Sequence, residues 1–188
     1  MAAALVTVCH ILVAVVLAAS AVGKARPAGF RAFLTTLADM GLGTPGTRRP
    51  LAYATVTAEG VAAGLLVLPG TRAGAIGLLL ASLVLAALTV GVVRAVRGGG
   101  PPVTCACFGR TGRPLGVLHL VRNTGLLLAA VAALAVSGSG PARATGGELV
   151  VSVAAGVVLA VVVIGLDDIA DLFTAPTAST TRATTDLP

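Results

Sequence analysis

Two cysteines stand one residue apart in the segment PPVTCACFGRTGRP, residues 101–114, between two long apolar runs. Cys105 and Cys107 suit thiol–disulfide exchange. Two thiols one residue apart are always within collision distance, and a disulfide between them closes a small ring that is strained and therefore easily reduced. Arg110 and Arg113 would favour the thiolate, which is the reactive form. Metal binding needs more ligands than one cysteine pair, and the segment has no histidine, so we predict no metal site. Thiol exchange and two unreactive cysteines in a turn both remain open.

Charged and polar side chains also occur inside the apolar runs. Glu59 lies in the second run, and the fourth run carries His119, Arg122 and Asn123 at i, i+3 and i+4, on one helix face. Glu59 and Arg122 come about 10–12 Å below the same membrane face at the rise of a helix, so we expect them to be partners, since an unpaired charge there is expensive. Two interpretations stay open: a buried ion pair that sets helix register, or a polar pocket formed with His119 and Asn123 that binds a cofactor or handles protons. A quinone is a candidate for that pocket, although no motif marks one.

The runs that carry these residues indicate a membrane protein. The chain has 188 residues, 56% of them hydrophobic and 11% charged, with a mean hydropathy of +1.01, whereas soluble domains carry about 25% charged residues. Helices of about 20 apolar residues cross a bilayer, and lipid leaves the backbone no other partner. The sequence therefore predicts an all-α, polytopic bundle in the cell (plasma) membrane. Its five spans lie at about 2–22, 51–68, 73–93, 115–136 and 149–166.

The segments between and after the spans differ in character. Residues 24–50 are basic, and Phe30, Phe33, Leu34 and Leu37 recur at helical spacing, which predicts a short amphipathic helix lying in the membrane interface. Residues 174–188 are rich in threonine and alanine and are predicted to be a disordered tail after a transmembrane domain of residues 1–173.

The distribution of positive charge predicts an orientation. With five spans, the loops that follow spans one and three share a face with the C-terminal tail, and eleven of the thirteen Lys and Arg residues belong to that face. The positive-inside rule therefore places the Cys105/Cys107 loop in the cytoplasm. Basic loops spread between apolar runs are typical of a membrane surface, so the net charge of +6 does not indicate a nucleic-acid partner.

Several motifs together resemble a known family. CACFG at residues 105–109, followed by HLVRNTGLLL from His119, is similar to the C-x-C-F-G…R-N pattern of the methylamine-utilisation protein MauE family, which belongs with the DoxX-like integral membrane proteins. The stretch AASAVGKARPAGFRAFLTTLADMGLGTP and the stretch AEGVAAGLLVLPGTRAGA resemble the family's segments after the first helix and in the second helix. The resemblance covers roughly residues 16–136 and implies a four-helix DoxX-like core, followed here by a fifth C-terminal transmembrane helix.

The resemblance also implies a function. Proteins of this type are thought to act with a thioredoxin-like partner in disulfide formation or electron delivery during maturation of methylamine dehydrogenase, an extracytoplasmic enzyme. Carried over, Cys105 and Cys107 would be the redox pair of a bacterial inner-membrane thiol–disulfide oxidoreductase, and Lys24, Glu59, Arg122 and Asn123 would be the family's polar positions. The clients of such a system lie outside the cytoplasm, which conflicts with the charge distribution, so the orientation stays open. A non-catalytic membrane scaffold or chaperone with structural cysteines is the alternative, and the physiological partner and the oligomeric state stay open as well.

Overall fold

The computed structural model of the protein describes residues 2–68, 70–97, 116–137, 146–166 and 169. Within these residues every regular element is an α-helix. The six helices are α1 (Ala2–Ala25), α2 (Pro27–Asp39), α3 (Arg48–Val67), α4 (Thr71–Arg97), α5 (Val117–Ser137) and α6 (Gly146–Ile164).

Five of the described helices are long and apolar enough to cross a membrane, namely all except α2. They carry large apolar side chains on their outer surfaces, most densely on α6, where Val150, Val151, Val158 and Val161 are exposed. Such a surface is stable against lipid tails and would aggregate in water. The chain is therefore a multi-pass membrane protein in contact with the bilayer.

The packing of the spans forms a ring of four helices with one helix outside it. Helix α1 packs against α3 and α5, and α4 completes the ring by packing against the same two helices. Helix α6 packs against α1 on the outside of the ring. The predicted all-α bundle, with a four-helix core and a fifth, C-terminal spanning helix, is confirmed.

Small residues set the distance between these helices. A Cβ atom on Gly156 of α6 would lie 2.8 Å from Ile11 Cβ and 3.0 Å from the Val8 carbonyl oxygen of α1. Inside the ring, side chains of α1, α3, α4 and α5 share one apolar core, with Leu17, Leu78 and Ala130 among its buried members. Close backbone approach through glycine and alanine is the usual means of packing where lipid supplies no hydrophobic drive between helices.

The short helix α2 forms where the sequence predicts an amphipathic helix. Pro27 starts it after the extended residue Arg26, because proline fits the first turn of a helix. Gly41, with φ +66°, ends it, and the Leu42 amide then donates to the Leu37 carbonyl. The apolar face packs on α1 and α3 and buries Phe33 and Leu37 in the protein, and the location of this helix in the lipid interface stays a prediction.

Candidate functional site

A buried ion pair links the last turn of α1 to the middle of α3. Lys24 Nζ donates to Glu59 Oε1 across 2.5 Å, and neither side chain has any exposed surface. An ammonium or a carboxylate alone in the hydrocarbon region would be very unfavourable. The attraction between the two charges offsets the loss of hydration of each group. This pair is the centre of the candidate site.

The short helix α2 covers the lysine of this pair. The Phe33 ring centroid lies 4.9 Å from Lys24 Nζ, with the ammonium over the ring. This geometry is a cation–π contact, which stabilises a desolvated cation. Phe33 is itself 4% exposed and packs in a small cluster with Leu37 and with Ala52 of α3. Phe33 therefore covers the Lys24 ammonium on the side at which α2 lies.

The fourth span, α5, brings three more polar side chains to the interior. His119, Arg122 and Asn123 are all buried, which agrees with the shared helix face expected from their spacing. The Arg122 charge acts electrostatically on Lys24, so the two cations belong to one cluster. Both His119 and Arg122 are engaged with neighbouring groups. The structure thus brings Glu59 and the three α5 residues into the same part of the bundle.

The direct partner of Glu59 differs from the sequence prediction, which paired it with Arg122. Helices α3 and α5 occupy opposite corners of the four-helix ring, and α1 is the neighbour of both. A side chain on α1 is therefore closer to Glu59 than one on α5, and Lys24 takes this position. Matching depth along two helices does not show which helices are adjacent, and the prediction was wrong for that reason.

The sequence did contain a signal for Lys24. Helix α1 continues through Ala25, so Lys24 is its penultimate residue, and Ser20 one turn earlier is buried on the same face. The apolar run alone predicts that the first span ends near residue 22, which leaves the lysine among the loop charges. Ser20 and Lys24 are four residues apart at the end of the apolar run, so they lie on the same face of a helix, and that face can point into the bundle.

One atom of the ion pair has an unfilled hydrogen-bonding capacity. Glu59 Oε2 is buried and accepts no hydrogen bond from the residues that the structure describes. A buried carboxylate oxygen without a donor is costly, because its lost hydration is not replaced. The arrangement can therefore hold a carboxylate in place while leaving one oxygen free to accept a hydrogen bond.

The remaining sequence predictions concern the cysteine pair, the C-terminal tail and metal binding. Cys105 and Cys107 lie outside the described residues, as does the tail 174–188. Helix α4 ends and α5 begins at the same end of the bundle as Lys24, because α4 runs antiparallel to α3 and the first turns of α5 carry Arg122. The described ranges contain no cluster of three or more His, Cys, Asp or Glu side chains that could hold a metal ion.

Comparison with known proteins places the chain in a family. No curated protein and no solved structure matches it. The model of the methylamine utilisation protein MauE family matches residues 2–136, which span α1 to α5 and include Cys105, Cys107, Lys24 and Glu59. This match confirms the resemblance drawn from the motifs, and it covers well over half of the chain. The chain therefore belongs to the methylamine utilisation protein MauE family.

Proposed function

We propose that the protein is an integral membrane thiol–disulfide redox protein of the plasma membrane, with Cys105 and Cys107 as its redox pair. The observation that carries the proposal is the Cys105-Ala-Cys107 sequence inside the part of the chain that matches the MauE family. The family's description supports a role in methylamine utilisation. A thioredoxin-like protein is the proposed partner, and the client is an extracytoplasmic protein of the methylamine dehydrogenase type.

The chemistry of such a pair is an exchange of disulfides. A thiolate of the reduced pair attacks one sulfur of the partner's disulfide and forms a mixed disulfide, and the partner's other sulfur leaves as a thiolate. The second cysteine then attacks the mixed disulfide, which leaves the Cys105–Cys107 pair oxidised and the partner reduced. The reverse sequence oxidises the partner. Arg110 and Arg113 favour the thiolate form of Cys105 and Cys107, which attacks in the first direction and leaves in the reverse direction.

The polar cluster formed by Lys24, Glu59, His119, Arg122 and Asn123 is proposed to serve this chemistry from within the membrane. Three of its residues, His119, Arg122 and Asn123, lie on α5, which follows the cysteine segment, while Lys24 is on α1 and Glu59 is on α3. Buried ionisable groups in a membrane protein are usually functional, because a purely apolar packing would be easier to insert.

A scaffold or chaperone without redox chemistry is the second candidate function. The observation in its favour is the complete enclosure of Lys24 and Glu59, which suits an ion pair that fixes the positions of α1 and α3. In that case Cys105 and Cys107 would shape a loop, and the partner would bind to the surface without exchanging electrons.

Replacement of the cysteines separates the two functions. Cys105→Ser, Cys107→Ser and the double variant are compared with Cys9→Ser, which changes the half-buried cysteine of α1. A redox protein loses client maturation in the double variant, and one single variant accumulates a mixed disulfide with the thioredoxin-like partner on non-reducing gels. A scaffold retains maturation in all four variants and forms no mixed disulfide, and that result would overturn the redox proposal.

A further inference from the structure

We propose that Glu59 Oε2 is the anchor of a binding site for a lipid-soluble hydroquinone, whose hydroxyl group donates a hydrogen bond to this oxygen. The inference rests on the proposed function, in which the cysteine pair delivers two electrons and two protons as it forms a disulfide. A quinone that accepts both becomes a hydroquinone, so the dithiol and the quinone convert to a disulfide and a hydroquinone with all atoms and electrons balanced.

The geometry of the carboxylate defines what kind of group can bind. Lys24 Nζ donates a hydrogen bond to Glu59 Oε1 at 2.5 Å, while Glu59 Oε2 is buried and has no donor among the described residues. An ionised carboxylate can only accept hydrogen bonds, so the missing partner must be a donor. A hydrogen bond to a charged group in a site without water is among the stronger ones available to a ligand.

The charge of the surroundings decides which donor is suitable. A cationic ligand at Oε2 would lie beside the Lys24 ammonium, which already shares the same carboxylate and also feels the charge of Arg122. Like charges at that distance repel strongly in a medium of low dielectric constant. The ligand is therefore a neutral donor, and a hydroxyl group meets this requirement.

The position of the site selects a molecule that dissolves in the membrane. Glu59 lies in the middle of α3, a helix that is long and apolar enough to span the bilayer, and its neighbours at positions 57, 60 and 61 are exposed on the outer surface of the bundle. A ligand with a neutral hydroxyl head and an apolar body matches both the acceptor and its surroundings. The redox chemistry of the cysteine pair narrows this class to hydroquinones.

Access to the site requires movement, because Lys24 and Glu59 have no exposed surface in this structure. Helix α2 is the shortest of the described helices, and it covers Lys24 through Phe33. It is joined to α3 through Gly41 and Gly43, both with positive φ. Displacement of α2 would open the ion pair without breaking the four-helix ring.

The carboxylate also makes the site selective for the reduced form. A hydroquinone can donate a hydrogen bond to the carboxylate through its hydroxyl group. A quinone instead presents carbonyl oxygens, which the carboxylate repels. A hydroquinone dimethyl ether has the same apolar body as the hydroquinone but no hydrogen-bond donor. Loss of a hydrogen bond to a charged acceptor weakens binding by about tenfold or more. We therefore expect the hydroquinone to bind at least about tenfold more tightly than either of the other two compounds.

Equilibrium dialysis of the purified full-length chain in bicelles, without oxygen, tests this inference with a short-chain hydroquinone, its quinone and its dimethyl ether. The Cys105→Ser/Cys107→Ser background prevents turnover, so the binding result does not depend on whether the thiol exchange occurs. The site variant is Lys24→Met/Glu59→Gln, which removes both charges together, and Glu148→Gln on α6 is the matched control at an exposed acid.

The expected result is tight hydroquinone binding by the parent chain and by the Glu148→Gln control, with weaker binding of the other two compounds. In Lys24→Met/Glu59→Gln the hydroquinone should lose most of its preference, because the neutral amide accepts a weaker hydrogen bond from the hydroquinone and can also donate to the quinone. Equal binding of all three by the parent chain, or no binding of the hydroquinone, would overturn the inference, and the second outcome would assign Oε2 to a buried water. If thiol exchange persists in the wild-type chain in either case, the proposed redox function stands and only the hydroquinone site fails.

Discussion

Lys24 Nζ and Glu59 Oε1 lie 2.5 Å apart with no exposed surface on either side chain, although the two residues are 35 positions apart in the chain. The contact fastens the end of α1 to the middle of α3 and brings the carboxylate into the cluster that includes Arg122. Because both charges are removed from water, the effect of losing one depends on whether the other remains. Variants that lack one charge can therefore be compared with a variant that lacks both.

Removal of one charge should be much more harmful than removal of both. Lys24→Met or Glu59→Gln leaves the other group buried without its partner, and each single change should lower the free energy of unfolding by about 3–5 kcal/mol. The double variant Lys24→Met/Glu59→Gln should recover most of this loss. Unfolding of the purified chain by a denaturing detergent in mixed micelles measures all three.

The exposed Arg31→Met on α2 is the control for this cycle, since it removes a positive charge near the same end of the bundle. It should change the unfolding free energy by less than about 0.5 kcal/mol. A double variant that is as unstable as the sum of the two single variants would mean that Lys24 and Glu59 act independently, contrary to the ion pair.

The contact between α6 and α1 should not tolerate a methyl group at Gly156. An added Cβ would lie 2.8 Å from Ile11 Cβ and 3.0 Å from a backbone oxygen, which cannot move without shifting the helix. Gly156→Ala should therefore destabilise the protein by about 1–3 kcal/mol. Gly64→Ala on α3 is the matched control, because a Cβ there meets nothing within 4 Å, and its effect should be stabilising and no more than about 1 kcal/mol. Thermal unfolding in detergent compares the two, and equal melting temperatures would contradict the tight crossing.

The contact between Phe33 and Lys24 predicts that two substitutions of Phe33 lower the stability by different amounts. Phe33→Ala should cost about 3–5 kcal/mol, because it leaves a cavity between α2 and α3. Phe33→Leu keeps apolar volume and loses only the aromatic ring over the ammonium, so it should cost about 1 kcal/mol. Limited proteolysis in the 40–47 turn reports on the attachment of α2. Cleavage should be fastest in Phe33→Ala, and the wild-type rate in both variants would show that the ring does not hold α2 in place.

The positive-inside rule gives a prediction about the cysteine segment. On a Cys9→Ala background, that rule predicts that a membrane-impermeant maleimide labels Cys105 and Cys107 in inverted vesicles and not in intact cells, whereas the proposed extracytoplasmic client predicts the opposite. Labelling of intact cells only after reduction would indicate an outward-facing disulfide. That outcome would contradict the orientation expected from charge and support the role in extracytoplasmic disulfide chemistry.

The sequence was sufficient to predict the spans, because the apolar runs are long and lipid permits few alternatives to the helix. It was also sufficient for the burial of His119, Arg122 and Asn123, since their spacing places them on one helical face that avoids lipid. These features depend on local periodicity and on the solvent, and both can be read along the chain.

The partner of Glu59 could not be predicted in the same way. Its identity depends on which helices are neighbours in the ring, and the sequence contains no local record of that order. The burial of Phe33 in α2 also depends on contacts between distant segments, because an amphipathic helix of this length can turn its apolar face to lipid or to protein, and Lys24 beneath it favours protein.

The separation of 35 positions between Lys24 and Glu59 also affects how the protein enters the membrane during synthesis. At about 5–20 residues per second, the ribosome adds the glutamate roughly 2–7 s after the lysine. We expect Lys24, at the end of α1, to keep its ammonium in the water at the membrane surface during that interval by extending its long side chain. Burial of the ammonium then awaits α3 and its carboxylate, so that the arrival of α3 completes the placement of the first helix in the bilayer.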